Sequence, residues 1–278
     1  MGAPMARRLL RAGHNVTVFN RTRTRAQALE ADGAVVTDSP AQAVSGAEVI
    51  FTMVPDTPDV EAVIEQIAPA LGPGRLVIDM STIAPAGAKR IAERLGETGT
   101  KFLDAPVSGG EPGAIEGTLT IMVRGGSEEF ARARPLFEQL GKRITHMGPV
   151  GHGQMTKLVN QVAVAVNLEA KVEALLLATR GGLDPARALE AIGAGAAASW
   201  QLNNLGPKII ARHYRSGFLI KLLRKDLRLV SEAARETGTP LPALSLGSAF
   251  FDAASAQGHA LDDTLPLAAV LRTLAAMN

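Results

Sequence analysis

From residue 15 to residue 148, short apolar runs alternate with segments of helical spacing, and after Gly153 the alternation stops. The pattern predicts strands at 16–19, 48–54, 75–79, 101–104, 118–123 and 143–147. Between them lie runs such as Val60, Val63, Ile64 and Ile67, whose spacing puts them on one helix face. Strand–helix alternation of this kind gives a mostly parallel sheet covered on both faces. Beyond Gly153, the stretch 158–178 is apolar on most sides, with charges only at Glu169, Lys171 and Glu173, and predicts one long buried helix. Turn signals at Gly181-Gly182, Asp184-Pro185 and 238–242 separate further helices, with no strand pattern among them. A chain of 278 residues is long for one core and comfortable for two. An α/β domain over 1–150 and an all-α domain over 151–278 are expected.

Composition removes several classes of chemistry. There is no cysteine, so disulfides, thiolate nucleophiles and Cys-ligated metals are excluded. Histidines 14, 146, 152, 213 and 259 are scattered without ligand spacing, and no metal is expected. The net charge of +2 is too small to imply a nucleic-acid or membrane partner. No run is apolar enough to cross a bilayer. Met1-Gly2 resembles a myristoylation start, but Ala6 stands where Ser or Thr is needed. Arg7, Arg8, Arg11, Arg21, Arg23 and Arg25 all precede the first acid, Glu30, as in a mitochondrial presequence, yet 16–19 reads as a strand within that stretch. A cytoplasmic protein is expected.

An α/β dinucleotide fold sets a strand and a Gly-rich turn before its first helix. Here the helix comes first: Met5, Leu9 and Leu10 have helical spacing, and Gly13-His14 ends it. Gly2 occupies the place of the third glycine of G-x-G-x-x-G, and the first two have no counterpart. The expectation is a Rossmann-type domain with its first strand apparently missing, and a natural protein longer by roughly ten residues, one strand and its turn.

In open α/β sheets, ligands bind beyond the carboxyl ends of the strands. Four expected strands run into polar or Gly-rich turns: Asn20-Arg21-Thr22, Pro55-Asp56, Ser81-Thr82 and Pro106-Val107-Ser108-Gly109-Gly110. The first of these usually carries an acid for the ribose of NAD. Here Arg21 stands instead, which favours the 2′-phosphate of NADP, although it also reads as a plain surface arginine. Ser108-Gly109-Gly110 offers a hydroxyl and approachable N–H groups for a carboxylate, or is simply a flexible loop. Lys157, Asn160 and Gln161 share one face near the start of the long helix. A lysine there can donate a proton to a carbonyl oxygen, or face solvent at a domain linker. Lys225-Asp226, taken alone, reads as a solvated pair.

These pieces resemble the β-hydroxyacid dehydrogenase family over nearly the whole chain. Met1-Gly2-Ala3-Pro4-Met5-Ala6 is similar to the end of its nucleotide signature, and Asp79-Met80-Ser81-Thr82 to its nicotinamide-side turn. Asp104-Ala105-Pro106-Val107-Ser108-Gly109-Gly110 is similar to its substrate loop, and Gly151-x-Gly153-x-x-x-Lys157 to its catalytic segment. The resemblance implies an oxidoreductase using NADP, or NAD, on a small carboxylate. It implies Lys157 as general acid/base, and Ser108, Gly109 and Gly110 as holders of the substrate carboxylate. Thr82 would lie beside nicotinamide and substrate. Gly2, Asn20, Arg21, Thr22, Met53, Val54 and Pro55 would line the cofactor, and Lys225 would reach it. Phe218 and Asp226 would complete the substrate side. The family often has Asn at the fourth residue after the lysine; here that residue is Gln161, preceded by Asn160, and the amide role falls to either. The segment 108–119 with 157–161 is most similar to the branch that reduces tartronate semialdehyde. The turn at Arg21 is more similar to the NADP-using branch acting on glyoxylate and succinic semialdehyde. The resemblance also implies a homo-oligomer, dimer or tetramer, associating through the helical half. Two rivals share the fold: a non-catalytic binding module, and an imine reductase. Both lack the lysine, and its presence with Ser108 and Thr82 argues against them.

Overall fold

The structure is a computed structural model, and it describes residues 1–148, 151–213 and 217–276. It divides into two compact units, Met1–Lys157 and Leu158–Asn278.

The first unit is α/β. Strands β1 (Thr17–Val18) and β2 (Val35–Val36) form a short parallel pair. Strands β3 (Val49–Thr52), β4 (Leu76–Asp79) and β5 (Lys101–Asp104) form a second parallel sheet in that order. Thr52, Asp79 and Asp104 stand side by side at its carboxyl edge. Strands β6 (Val107–Ser108), β7 (Leu119–Val123) and β8 (Gly141–His146) form a third sheet, in which β6 runs antiparallel to β7 and β8 parallel to it. Among the described residues these strands are accompanied by helices α1 (Gly2–Arg11), α2 (Arg23–Gln27), α3 (Pro40–Ala43), α4 (Thr57–Ile67), α5 (Pro85–Gly96), α6 (Gly110–Glu116) and α7 (Ser127–Leu140).

Alternation along β4 explains how the unit is covered. Leu76 and Ile78 belong to one core with Met5, Leu9 and Phe137, whereas Val77 belongs to another with Val60, Ile64, Ile91 and Leu95. A strand buried on both faces must be apolar throughout, and β4 is, up to Asp79 at its carboxyl end. Among the described residues no strand joins β1 to β3, so the parallel sheet is interrupted between them. The interruption falls where the sequence pattern lacked a strand. With a partner on one side only, the apolar runs 16–19 and 48–54 yield ladders of just Thr17–Val18 and Val49–Thr52.

The second unit is helical. Helix α8 (His152–Arg180) begins in the first unit and continues into the second. It is followed by α9 (Pro185–Gly193), α10 (Trp200–Ile210), α11 (Ile220–Thr237), α12 (Pro242–Ala256) and α13 (Leu267–Leu274). Among the described residues of this unit the only β feature is an isolated bridge between Leu219 and Asp263. Asp184 and Ser199 cap α9 and α10, their side chains accepting from the N–H groups of Ala186 and Leu202. The expectation that α8 is buried all round needs correction. Ala165, Leu168, Val172 and Leu175 are buried, but Val159 and Leu177 are 63% and 75% exposed. An apolar residue on every side does not require a partner on every side within one chain.

Candidate active site

The turns after β3 and β4 are tied together from below. Thr52 Oγ1 donates to Asp79 Oδ1 at 2.8 Å, and the same oxygen accepts from the Ser81 N–H at 3.2 Å. Ser81 Oγ then accepts from the Val54 N–H at 2.9 Å. Thr52, Asp79 and Ser81 are all buried, so the hydrogen bonds compensate the cost of removing these groups from water. The result is a fixed relation between Met53-Val54-Pro55 and Ser81-Thr82. Gly2 joins them: a Cβ there would lie 3.7 Å from that of Met53.

A second set of bonds brings the start of α8 to the same edge. The Gln154 N–H is one of the helix's unsatisfied first-turn donors, and Asp104 Oδ2 accepts from it at 3.0 Å. The Gln154 side chain reaches across the Thr82 turn. Its Oε1 accepts from the Ile83 N–H at 3.0 Å, and its Nε2 donates to the Ser81 carbonyl at 2.9 Å. Gly153 makes this approach possible. A Cβ there would meet Asp104 Oδ2 at 2.5 Å and the Met122 carbonyl oxygen at 2.8 Å, and backbone atoms cannot yield. Lys157 lies further along the same helix and is buried, only 6% exposed. This disposes of the reading that it is a solvent-facing linker lysine.

Asp104 is fully buried, and burial pushes its carboxyl up to about 6, against the opposing pull of Arg124. Arg124 Nε lies 3.8 Å from Asp104 Oδ1, and neither atom has a hydrogen-bond partner. The pair is thus close enough to feel its charges but too far apart to satisfy them.

Asp104 also leads into the loop of Ser108, Gly109 and Gly110. Ser108 closes β6, and Gly109 and Gly110 follow with φ of 131° and 63°. Both conformations belong to glycine, and they explain why the loop carries two in succession. At the β1 end, Asn20 Oδ1 accepts from the Thr22 N–H at 2.9 Å, which shapes the turn. Arg21 is 78% exposed and pairs with Asp59 at 3.0 Å. The turn itself contains no acid; the fold supplies one from α4.

The other residues singled out by the sequence lie in the helical unit. Asn160 Nδ2 donates to Gln161 Oε1 at 2.8 Å, and Gln161 Nε2 donates to Asp226 Oδ2 at 2.5 Å. Lys225 Nζ lies 2.7 Å from Asp226 Oδ1, their side chains 13% and 4% exposed. A solvated pair is therefore the wrong description of Lys225 and Asp226: Asp226 is buried, Lys225 is half-buried, and Asp226 is joined through Gln161 to Asn160. Phe218 is half-buried just before α11, and its carbonyl accepts from the Thr264 N–H. Among the described residues no group of three His, Asp or Glu is placed to hold a metal, and no helix is long and apolar enough to cross a membrane.

The class of protein follows from where the polar groups gather. A parallel sheet with its turns fixed at the carboxyl edge is built to receive a dinucleotide, and a buried lysine stands on the helix whose Gln154 is bonded to those turns. That combination describes a nicotinamide-dependent oxidoreductase. Residues 1–148 match the NAD binding domain of 6-phosphogluconate dehydrogenase, and residues 151–271 match the NAD-binding domain of NADP-dependent 3-hydroxyisobutyrate dehydrogenase. The 2-hydroxy-3-oxopropionate reductase of Escherichia coli is 42% identical over 99% of this chain and 95% of its own length. The NAD-dependent L-serine dehydrogenase of Pseudomonas aeruginosa is 38% identical over 95% and 92%. Among solved structures, the 3-hydroxyisobutyrate dehydrogenase of Mycobacterium tuberculosis with L-serine superposes with a TM-score of 0.89 at 34% identity, covering 99% and 95% of the two chains. The chain belongs to the 3-hydroxyisobutyrate dehydrogenase family of NAD(P)-dependent hydroxyacid dehydrogenases and reductases.

Sequence reasoning missed Gln154. A glutamine in a helix carries no signal of its own, and its partners are 71 and 73 residues away. The adjacent Gly153 is the one local signal that could have pointed there, since a Cβ on it would collide with Asp104 and Met122.

Proposed function

We propose that this chain reduces 2-hydroxy-3-oxopropionate (tartronate semialdehyde) to glycerate with NADPH, with Lys157 as the general acid. The observation that carries the reading is a buried lysine on a helix whose start is bonded to both the Thr82 turn and the head of the Ser108 loop. Similarity to the E. coli reductase over nearly the full length supports the substrate. The turns at the carboxyl edge fit a dinucleotide: Gly2, Met53, Val54 and Pro55 would hold its adenosine side and Thr82 its nicotinamide side. When bound, the nicotinamide supplies hydride to the substrate's aldehyde carbon.

This chain's residues would do the rest. The hydroxyl of Ser108 and the N–H groups of Gly109 and Gly110 bind the carboxylate. The Lys157 ammonium gives its proton to the carbonyl oxygen as that oxygen gains charge, and in the reverse direction the neutral amine takes the proton back. Asn160, half-buried, is assigned the amide role toward substrate, because Gln161 is bound to Asp226. Phe218 and Asp226 complete the substrate side, and Lys225 reaches the cofactor. Residues 1–150 serve as the cofactor domain, and 151–278 as the substrate and oligomerisation domain of a cytoplasmic homo-oligomer. Exposed Val159, Leu177 and Trp200 supply apolar surface for that association.

NADP is favoured by the Asn20-Arg21-Thr22 turn, where a 2′-phosphate can take the exposed Arg21 from Asp59. A 3-hydroxy acid such as L-serine is the second reading, favoured by the likeness to the M. tuberculosis enzyme solved with it. The test is kcat/KM across 2-hydroxy-3-oxopropionate, glyoxylate, succinic semialdehyde, 3-hydroxyisobutyrate and L-serine, with both cofactors. Highest efficiency is expected for 2-hydroxy-3-oxopropionate with NADPH. Another substrate in first place would replace the assignment.

A further inference from the structure

We propose that Gln154 is a positioning residue: its buried amide sets the register between the turn bearing Thr82 and the helix bearing Lys157. The inference rests on the assignment of Lys157 as proton donor given above. Gln154 is 0% exposed, and both ends of its amide are used. The Oε1 atom accepts from Ile83 and Nε2 donates to Ser81, the two residues that flank Thr82. One partner is a backbone N–H and the other a backbone carbonyl, so only one orientation of the amide satisfies both. The side chain therefore reads the turn as a neighbouring strand would. Its own N–H is held by Asp104, at the head of the substrate loop. Three segments assigned to the reaction thus meet at one residue.

The link to Lys157 is the helix. Gln154 and Lys157 are three residues apart on α8 and share a face. A helix is stiff over one turn, so a shift at Gln154 is passed to Lys157. Gln154 itself carries no titratable proton and is not assigned to touch substrate. Its chemistry is nonetheless specific. An ionised glutamate would set a second acceptor against the Ser81 carbonyl, and a methionine of similar length would satisfy neither group. Misplacement of a reacting group by about 1 Å costs on the order of 10²-fold in rate.

The experiment compares wild type, Gln154→Met, Gln154→Glu and Lys157→Ala. It measures kcat and KM for 2-hydroxy-3-oxopropionate, NADPH binding by fluorescence, and thermal midpoint. Gln154→Met is expected to lower kcat about 100-fold, with KM and NADPH affinity within about threefold of wild type. Gln154→Glu is expected to recover as pH falls from about 8 to about 6, because a neutral carboxylic acid again offers one donor and one acceptor. Its kcat relative to wild type should rise about tenfold or more over that range. A folded Gln154→Met enzyme with kcat within threefold of wild type would overturn the proposal. So would a loss of kcat matched by an equal loss of NADPH affinity, a Gln154→Glu enzyme without pH recovery, or failure of both variants to fold, since each assigns Gln154 to stability alone. The underlying reading is tested separately. A Lys157→Ala enzyme keeping more than about a tenth of the activity, or a wild type inactive on the substrate, sinks the assignment of Lys157 and this inference with it.

Discussion

Two lysines are buried on one helix, Lys157 in the opening turns of α8 and Lys171 midway along it, with residue exposures of 6% and 3%. Their surroundings differ. Lys157 follows a helix start bound to polar turns at the carboxyl edge of a sheet. Lys171 Nζ has no hydrogen-bond partner among the described residues, and burial pushes its amine down to about 7. Nearby Glu169 is buried too, its carboxyl raised by burial and by Glu173. Burial of a lysine therefore does not by itself mark a site. What sets Lys157 apart is that Gln154, one turn before it, is hydrogen-bonded to the turn at Ser81–Ile83 and to Asp104.

The sharpest way to break this contrast is to remove each amine in turn. Lys157→Ala is expected to lose about 10² to 10⁴ in kcat while NADPH affinity stays near that of wild type. Lys171→Met should leave turnover within about twofold. Comparable losses in the two variants, measured by steady-state kinetics, would erase the distinction.

Stability should show the opposite ranking. The folded pKa of Lys171 lies below its unfolded value of 10.5, so between about 7 and 10.5 the unfolded chain binds the extra proton. Wild-type stability should thus rise with pH across that window, and carry the full penalty below it. Lys171→Met removes the penalty and should stabilise by on the order of 4 kcal/mol near pH 6, because holding a buried amine charged costs about 1.4 kcal/mol for every tenfold loss of proton affinity. Denaturant melts at pH 6, 8 and 10 check both the gain and the flattening of the slope.

Asp104 offers a milder version. Its folded pKa of about 6 exceeds the unfolded 3.8, so the folded chain holds the proton between those values. Its contribution to stability falls as pH rises from about 4 to about 6 and is level above. Asp104→Asn keeps an oxygen for the Gln154 N–H and should abolish that slope. The net gain near pH 7 should be about 1–2 kcal/mol, less than relief of the buried charge alone implies, because Arg124 then loses its counter-charge. A steeper acid limb in the variant, followed by chemical melts from pH 4 to 8, would contradict this.

The smallest effect is expected at Arg21. The residue is exposed and already paired with Asp59, so Arg21→Ala should lower the preference for NADPH over NADH by about three- to tenfold. A wild type that favours NADH would remove the premise.

Much of this was legible in the sequence, for identifiable reasons. Strands β3, β4, β5 and β7 announced themselves because each is four or five residues of apolar pattern with a turn at its end. Strands β2 and β6 did not, because two residues carry no period. The lysine, the Ser-Gly-Gly loop and the four turns are readable as local patterns. The role of Gln154 in the packing, the Arg21–Asp59 pair and the burial of Asp226 are not, because each depends on partners that only folding brings near. The expected burial of α8 on all sides failed for a related reason: composition states what a helix can bury, not what its own chain supplies to cover it.

The two glycines after Ser108 have a consequence of another kind, in conformational entropy. Every glycine enlarges the set of shapes open to the unfolded chain, and replacing one with alanine commonly stabilises a protein by about 0.4–1 kcal/mol. Gly109 and Gly110 refuse that trade. With φ of 131° and 63°, each holds a shape that a side chain resists, and a Cβ on Gly109 would press to 3.1 Å from Leu119. The loop assigned to grip substrate is thus a place where the chain stays costly to order, and any search for a more thermostable form of this protein will have to find its gains elsewhere.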